Sequence, residues 1–542
     1  MRSFQGALLW LGMMACADPS ATPAPPVVDD NGRVPDLLCP GSAGCFTTDG
    51  AFYAGAAKRE ITAQVEPFED LDGDGHYQPG EPFEDLDGDQ VFDPVWIAGF
   101  ASGREAHGVH DPQWVRGVTL RRGDLRLGVL AIDAVGYFHD EVIRVRRAAA
   151  EAGLDLDQVI VVATHDHEAK DTMGLWGRSV SETGWDQPYM DRLVEAAVSV
   201  LRESIDAERP SVLEAAQTDV RDLIADSRLP VVVDGTLTAV LLREAEGPPI
   251  AMITVWGNHA ESLSNRNVRL SSDFPHFIRE EAEAAYPGAV ALFLPGTLGG
   301  MMSPLDLVPC RQPDGSPGCP DESFEKAAWV GRTAAQRGVE ALRGPNLRRD
   351  DAPELRVERH SFLLGFANPA FALGFGLGLF QRTLFGSDGQ GLSRSRVEDM
   401  TIEQALEGAV LFQTEAGRVV LGPLDILTVP GELYPELWLE HPSGGTHVEH
   451  PANADYPDAP AEVPLASFLD GSRLKVIVNQ ANDALGYVLP KAQYDTEAPY
   501  AFGPERQYGE ENSLGPETAR RLVEEVSAMV GPRVGSAAIS PR

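Results

Sequence analysis

The chain is poor in cysteine, with five in 542 residues, and no two of them stand in a C-x-x-C arrangement. That argues against a cysteine-built zinc site. It also lacks positive charge: 44 Lys and Arg face 82 Asp and Glu, for a net charge of −38. An excess of acid on that scale disfavours nucleic acid and anionic membrane surfaces as electrostatic partners. It suits a soluble protein in the exterior or in a salty medium. An unbroken membrane-spanning run is missing too. Residues Phe362 to Phe385 are apolar, but Pro369 and several glycines interrupt them, so buried structure is expected there rather than a span, or else a lip meeting an apolar substrate or bilayer.

What is present begins at the N-terminus. Arg2 precedes a short apolar run, Ala7 to Met14, that ends at Ala15-Cys16. A charged start, an apolar core and a small residue before the cut read as a secretory signal over residues 1–16. The Cys at the cut predicts a lipoprotein anchored by Cys16 at the outer membrane or cell surface, with cleavage and release as the alternative. Residues 17–51 are then expected to form a Pro-rich tether. The remaining cysteines fall into two local pairs, and Cys39–Cys45 and Cys310–Cys319 are the expected disulfides of an exported chain.

Two near-copies stand at Phe68–Asp74 and Phe83–Asp89. The first continues to Glu81 and matches the calcium loop D-x-D-x-D-G-x5-E. Asp70, Asp72 and Asp74 would give oxygens, His76 its carbonyl and Glu81 a bidentate carboxylate, with Gly75 permitting the sharp turn. The second copy keeps Asp85, Asp87, Asp89 and Asp93, a weaker calcium site, because Gln90 replaces the glycine and Trp96 stands where the closing Glu belongs. Pro79 and Pro82 argue against flanking helices. Residues 68–94 therefore read as an inserted pair of calcium loops with a structural role, or as an acidic solvated excursion.

From Trp96 onward strands and helices alternate as in a mixed α/β fold with flanking helices: a single large domain over residues 52–530, with 531–542 as a tail. Val159–Val162 is a β-branched run expected to be a buried strand. It runs into Thr164-His165-Asp166-His167, and alternation along an extended chain would turn His165 and His167 to one face, Asp166 to the other. The strand Ile250–Val255 likewise ends in Asn258-His259. The strand Ala289–Leu294 runs into a glycine turn reaching Ser303 and Pro304. In layered α/β folds ligands gather at such strand ends.

Several motifs in one order resemble the neutral/alkaline, non-lysosomal ceramidase family. They are Gly55 to Thr62, Gly99-Phe100, Leu130 to Asp133, Thr164 to His167, Asn258-His259, the turn Gly296 to Pro304, Pro430-Gly431-Glu432, and Asn482 to Tyr487. Each is weak alone; their order carries the resemblance, which spans roughly residues 52 to 530. It implies a zinc-dependent amidase with His165, His259, Glu432 and Tyr487 as ligands. Such a donor set suits zinc, and a loosely held phenol leaves room for water. Zinc would bring the pKa of that water towards ~7, making hydroxide available to attack an amide carbonyl. His167 would stand beside the metal to stabilise the oxyanion or shuttle a proton. Arg228 resembles an arginine near the same pocket. Ser303 resembles the serine of the family's glycine turn and is assigned substrate positioning.

The resemblance departs in places. Asp166 replaces a small or hydroxyl residue, Glu168-Ala169-Lys170 replaces Ser-Gly-Pro, Gly300 stands where Asp is common, and the family's C-terminal immunoglobulin-like module is not seen. These departures leave the substrate open between ceramide and other lipid-like N-acyl compounds. A metallo-β-lactamase-like site needs H-x-H-x-D-H, which the chain lacks. A TIM-barrel amidohydrolase would carry its H-x-H near the first strand, which it does not. The expectation is an exported zinc hydrolase with structural calcium, held to the membrane by a lipid anchor and having no nucleic-acid partner. A metal-dependent esterase of the same fold and a non-catalytic calcium-binding surface lipoprotein are the alternatives.

Overall fold

The computed structural model describes residues 27–302, 305, 309–310, 316, 318–393, 396 and 400–531. The expected signal peptide and its Cys16, the tail beyond residue 531, and Ser303 lie outside these. The chain lays down three sheets in succession, each with helices on its outer face. The first combines β1 (Phe52–Glu60), β2 (Trp114–Arg122), β3 (Leu125–Ile132) and β4 (Gln158–Ala163), covered by α1 (His139–Glu151) and α2 (Gln187–Asp206). The second combines β5 (Val212–Asp219), β6 (Thr236–Arg243), β7 (Pro249–Trp256) and β8 (Val290–Pro295), covered by α3 (Asp273–Ala285) and α4 (Phe324–Leu342). The third holds β9 (Leu355–Leu364), with α5 (Pro369–Leu377) after it, then β10 (Leu411–Leu421), β11 (Leu424–Thr428) and β12 (Leu474–Val478), covered by α6 (Thr518–Val530). The mixed α/β class is as expected.

The inner faces of all three sheets share one core. Leu120, Leu127 and Ile160 of the first meet Val240, Ile253 and Leu294 of the second and Val419, Leu424 and Val476 of the third. Each sheet also contains a parallel strand pair: β3–β4, β7–β8 and β11–β12. The C-terminal ends of these pairs meet at one end of the core. Ala163 donates its backbone N–H to Gln480 O at 3.1 Å, and Asn479 donates to Pro295 O at 2.8 Å, so β4, β8 and β12 are tied where they stop. Asn482 reinforces the seam: its backbone N–H donates to Val161 O at 2.7 Å, and its side-chain oxygen accepts from Val161 N at 2.8 Å. On α1, the buried Arg146 binds Val159 O and reaches Glu415 on β10 at 2.6 and 2.8 Å, clamping the first sheet to the third.

Two expectations are corrected. The stretch read as a tether is docked from Val34 onward, and Leu37–Cys39 pairs with β9, because Val34, Leu37 and Cys39 are apolar and find a place against the third sheet. The apolar run Phe362–Phe385 is not simply core. It contains the end of β9, then α5, whose Leu373 and Leu377 are each 52% exposed while Phe371, Phe375 and the following Phe380 line a cavity. Both expected disulfides, Cys39–Cys45 and Cys310–Cys319, are formed. Among the described residues no helix is long and apolar enough to cross a membrane.

Candidate active site

The seam where the three sheets end carries the histidines. β4 stops at Ala163, and His165 takes a left-handed backbone with φ 60°. The two imidazoles are thus brought together by a kink, not by the strand alternation expected from the sequence, and His165 Nε2 and His167 Nε2 stand 3.2 Å apart. The second ring nitrogen of His165, Nδ1, lies 2.7 Å from Val135 O, which leaves Nε2 to face the centre. His167 N donates to Ala260 O at 2.9 Å, joining this turn to the one after β7 that carries His259. Glu432 and Tyr487 are opposite residues of a two-residue parallel pairing just beyond the ends of β11 and β12.

All four expected ligands and His167 converge. Glu432 Oε2 is 3.3 Å from both His165 Nε2 and His259 Nε2, and the Tyr487 hydroxyl is 3.3 Å from His259 Nε2. Ligands held about 2.0–2.1 Å from a tetrahedral zinc stand about 3.3 Å from one another. The donor spacings are therefore ones that a single bound metal ion could bridge. His165, His167 and His259 also qualify together as a metal-holding group, so His167 is as close to the centre as the expected ligands.

Electrostatics agree with the geometry. Burial pushes the Glu432 carboxyl up, but the His165 and His259 imidazoles more than reverse this and hold it well below the usual carboxylate range. Burial, then the neighbouring His165 and His259, hold His167 well below an ordinary histidine, so it is neutral. Burial and the Glu432 charge raise the Tyr487 phenol, which keeps its proton. Asp166 turns away from the centre to Gln113 Nε2 at 3.3 Å and is pushed up by burial, then by Asp133.

Arg228 stands behind the wall of the pocket, not among the side chains that line it. Its guanidinium is buried and bound to Glu510 at 2.7 and 3.0 Å and to the carbonyls of Gln493 and Tyr508, and it does not line the cavity at the centre. With both terminal nitrogens bonded, this cation is a clamp on the 493–510 segment. What it positions is Tyr508, whose ring lies 5.6 Å from that of Tyr487 and which does line the cavity. Sequence reasoning missed Tyr508 because nothing marks an aromatic in a Gly- and Glu-rich loop. It also missed Glu261, fully buried with Oε2 3.6 Å from His167 Nδ1; a carboxylate two residues after His259 was the available signal.

The centre opens into a cavity of about 280 Å³ whose other walls are largely apolar, among them Phe138, Met173, Trp176, Phe375 and Phe380. Gly99 and Phe100 form the wall beside His167, with the Phe100 and His167 rings 5.1 Å apart.

The acidic loops lie just upstream of that wall. Phe68 and Phe83 pair antiparallel, and the two repeats face each other across this bridge. Glu81 accepts from Leu71 N and Gln78 N at 2.8 Å each, closing the first loop. The second loop is closed the same way by Glu66, which accepts from Leu86 N and Asp93 N at 2.9 Å each. The closing carboxylate thought absent at Trp96 comes from upstream, and Gln90 takes the glycine-like φ of 67°. Asp70, Asp72 and Glu81 form one group with donor atoms close enough for a cation, and Glu66, Asp85 and Asp87 another, with Asp87, Asp89 and Asp93 a third.

No protein-family model and no curated protein matches the chain. Among solved structures it is similar to the neutral ceramidase from Pseudomonas aeruginosa, with TM-score 0.60, 16% identity, and coverage of 91% of this chain and 77% of that one. It is also similar to a ceramidase complexed with C2, with TM-score 0.61, 16% identity and coverage of 91% and 78%. The fold is that of the ceramidases.

Proposed function

We propose that the protein is an exported zinc-dependent hydrolase that cleaves the amide of a lipid-like N-acyl substrate. The observation that carries this is the convergence of four side chains with His167 beside them: Glu432 stands 3.3 Å from both His165 and His259, Tyr487 stands 3.3 Å from His259, and His167 lies 3.2 Å from His165. The ceramidase fold supports the same reading. Zinc held by His165, His259, Glu432 and Tyr487 would supply Lewis acidity and a water acidic enough to react near neutral pH. The chain's own residues do the rest. Neutral His167 accepts a proton at Nε2 and returns it to the leaving amine nitrogen. The protonated Tyr487 hydroxyl is the weakest donor of the set and can turn to the carbonyl oxygen. The apolar cavity binds the acyl portion and keeps water out. Arg228 acts through Glu510 and Tyr508, and Ser303 is assigned substrate positioning by resemblance alone.

Calcium is proposed at both acidic loops, bound by Asp70, Asp72, Asp74, the His76 carbonyl and Glu81, and by Asp85, Asp87, Asp89, Asp93 and Glu66. The loops run directly into Ile97 and Ala98, which pair with the 169–170 segment beyond His167, so ordering them steadies Gly99 and Phe100. Export is supported by the two disulfides; a lipid anchor at Cys16 is proposed from the sequence. The test is turnover of acyl-amide and acyl-ester panels with and without chelator. Chelator-sensitive amide cleavage that is lost in His165→Ala and Glu432→Ala supports the proposal. Turnover surviving both substitutions overturns it, and cleavage of esters alone makes the protein an esterase.

A further inference from the structure

The cavity beside the candidate centre is lined by phenylalanines and aliphatic side chains, yet one lining residue is an arginine. Arg382 has a side chain only 3% exposed. Its guanidinium lies over the Phe138 ring at 4.9 Å and the Phe412 ring at 4.2 Å, and Nη2 binds the fully buried Asp483 at 2.6 Å. Asp483 in turn accepts from His139 N at 3.1 Å and Ala484 N at 2.9 Å, so it is fixed to the first turn of α1 and to the loop after β12. Arg382 Nη2 also donates to Gln413 O at 3.3 Å, and Nε, which makes no hydrogen bond, stands 3.9 Å from Asp140 Oδ2. A buried ion pair seldom out-stabilises an apolar pair of the same volume. The pair therefore calls for a reason other than stability.

We infer that Arg382 sets the length limit of a pocket for a single unbranched alkyl chain. This rests on the hydrolase reading above and names its substrate class: N-acyl compounds carrying one chain that ends before Arg382. The reacting end of the cavity is fixed by His165, His167 and Glu432. The other walls are apolar, with Met173, Phe375 and Phe380 among them, and Phe380 and Phe375 lie 5.9 and 6.4 Å from Phe138 and Phe412, the two rings that hold Arg382. A methylene chain gains by burial along these walls, but against a guanidinium flattened between two rings and neutralised by Asp483 it meets close-packed polar atoms it cannot solvate. About 280 Å³ suits one chain rather than the two of a diacyl lipid.

The experiment uses straight-chain N-acyl amides of one fluorogenic amine, from acetyl to stearoyl, on the full chain. Wild-type kcat/KM is expected to rise with chain length and then fall. Arg382→Leu leaves Asp483 buried without its partner and can fail to fold, so Arg382→Leu/Asp483→Asn is made beside it. In the double variant the optimum moves to longer chains, with a gain of roughly fourfold for each further methylene accommodated. An unchanged optimum in a folded double variant overturns the inference. If the wild type cleaves no amide, the amide-hydrolase reading fails on its own. The pocket is then read by quenching of Trp176 fluorescence with saturated fatty acids of the same lengths, where a wild-type cut-off unchanged in the double variant again overturns it.

Discussion

Gly99 lies flat against the imidazole of His167: a β-carbon built on Gly99 would stand 2.5 Å from His167 Cγ and 2.6 Å from Nδ1. Its φ of 100° is also one that side chains rarely adopt. Gly99→Ala is therefore expected to displace His167 and cut kcat/KM by roughly a hundredfold, the scale of a 1 Å misplacement. Zinc content is expected to hold, because the three atoms nearest that β-carbon all belong to His167. Wild-type turnover in this variant would mean that His167 has no part in the reaction.

The donors around the centre are expected to separate by metal analysis. Glu432→Ala removes the one carboxylate touching two imidazoles, and zinc should fall from about one per chain to background. Tyr487→Phe should retain zinc and lose on the order of a hundredfold in kcat, since only a hydroxyl that serves the reaction is taken away. Zinc retained in Glu432→Ala would break the proposed ligand set.

Glu66 and Glu81 are predicted to be equivalent. Calorimetric titration with calcium should find two sites in the wild type and one intact site in either Glu66→Gln or Glu81→Gln. At calcium a hundredfold above Kd, each occupied site adds about 2.7 kcal/mol to stability. Two unaltered sites in Glu66→Gln would show that this side chain closes no calcium loop.

Burial pushes the Glu436 carboxyl up to about 8, far above the ~4.3 of an unfolded chain. Between those values the folded chain keeps a proton that the unfolded chain has released. Stability from this group is thus complete below about pH 4.3 and is lost as pH climbs through about 8, a fall on the order of a few kcal/mol. Glu436→Gln should flatten the decline of Tm between about pH 5 and 8. A slope parallel to the wild type would assign the decline to other groups.

Arg146→Met should cost about 3–5 kcal/mol, because it strands the Glu415 carboxylate, which is fully buried, and unties β4 from β10. Adding Glu415→Leu should recover much of that loss. Chemical denaturation of the two variants checks both figures.

Much of the architecture was legible because its signals are local. β4 is a β-branched run, and the histidines after it and after β7 sit where strands stop. β5 was missed because Val212–Asp219 is rich in Leu, Glu and Ala, a composition that favours helix, and only pairing with β6 makes it a strand. The meeting of His165 and His167 was foreseen for the wrong reason, since alternation holds only while the backbone is extended and His165 leaves that region. Arg228 shows what a motif leaves unsaid. A motif transfers a residue type, while the partner that decides its role, Glu510, lies 282 positions along the chain. The closing of the second acidic loop by Glu66 was hidden for a related reason: a loop motif is read forward, and this carboxylate comes from behind.

That crossing has an evolutionary corollary. Counted from the Glu-Pro before each Phe, the copies begin at Glu66 and Glu81, and each of these glutamates closes the other copy's loop, so neither half is a self-sufficient module. Deleting one copy leaves the survivor without a closing carboxylate, and lineages should gain or shed this insert only as a matched pair.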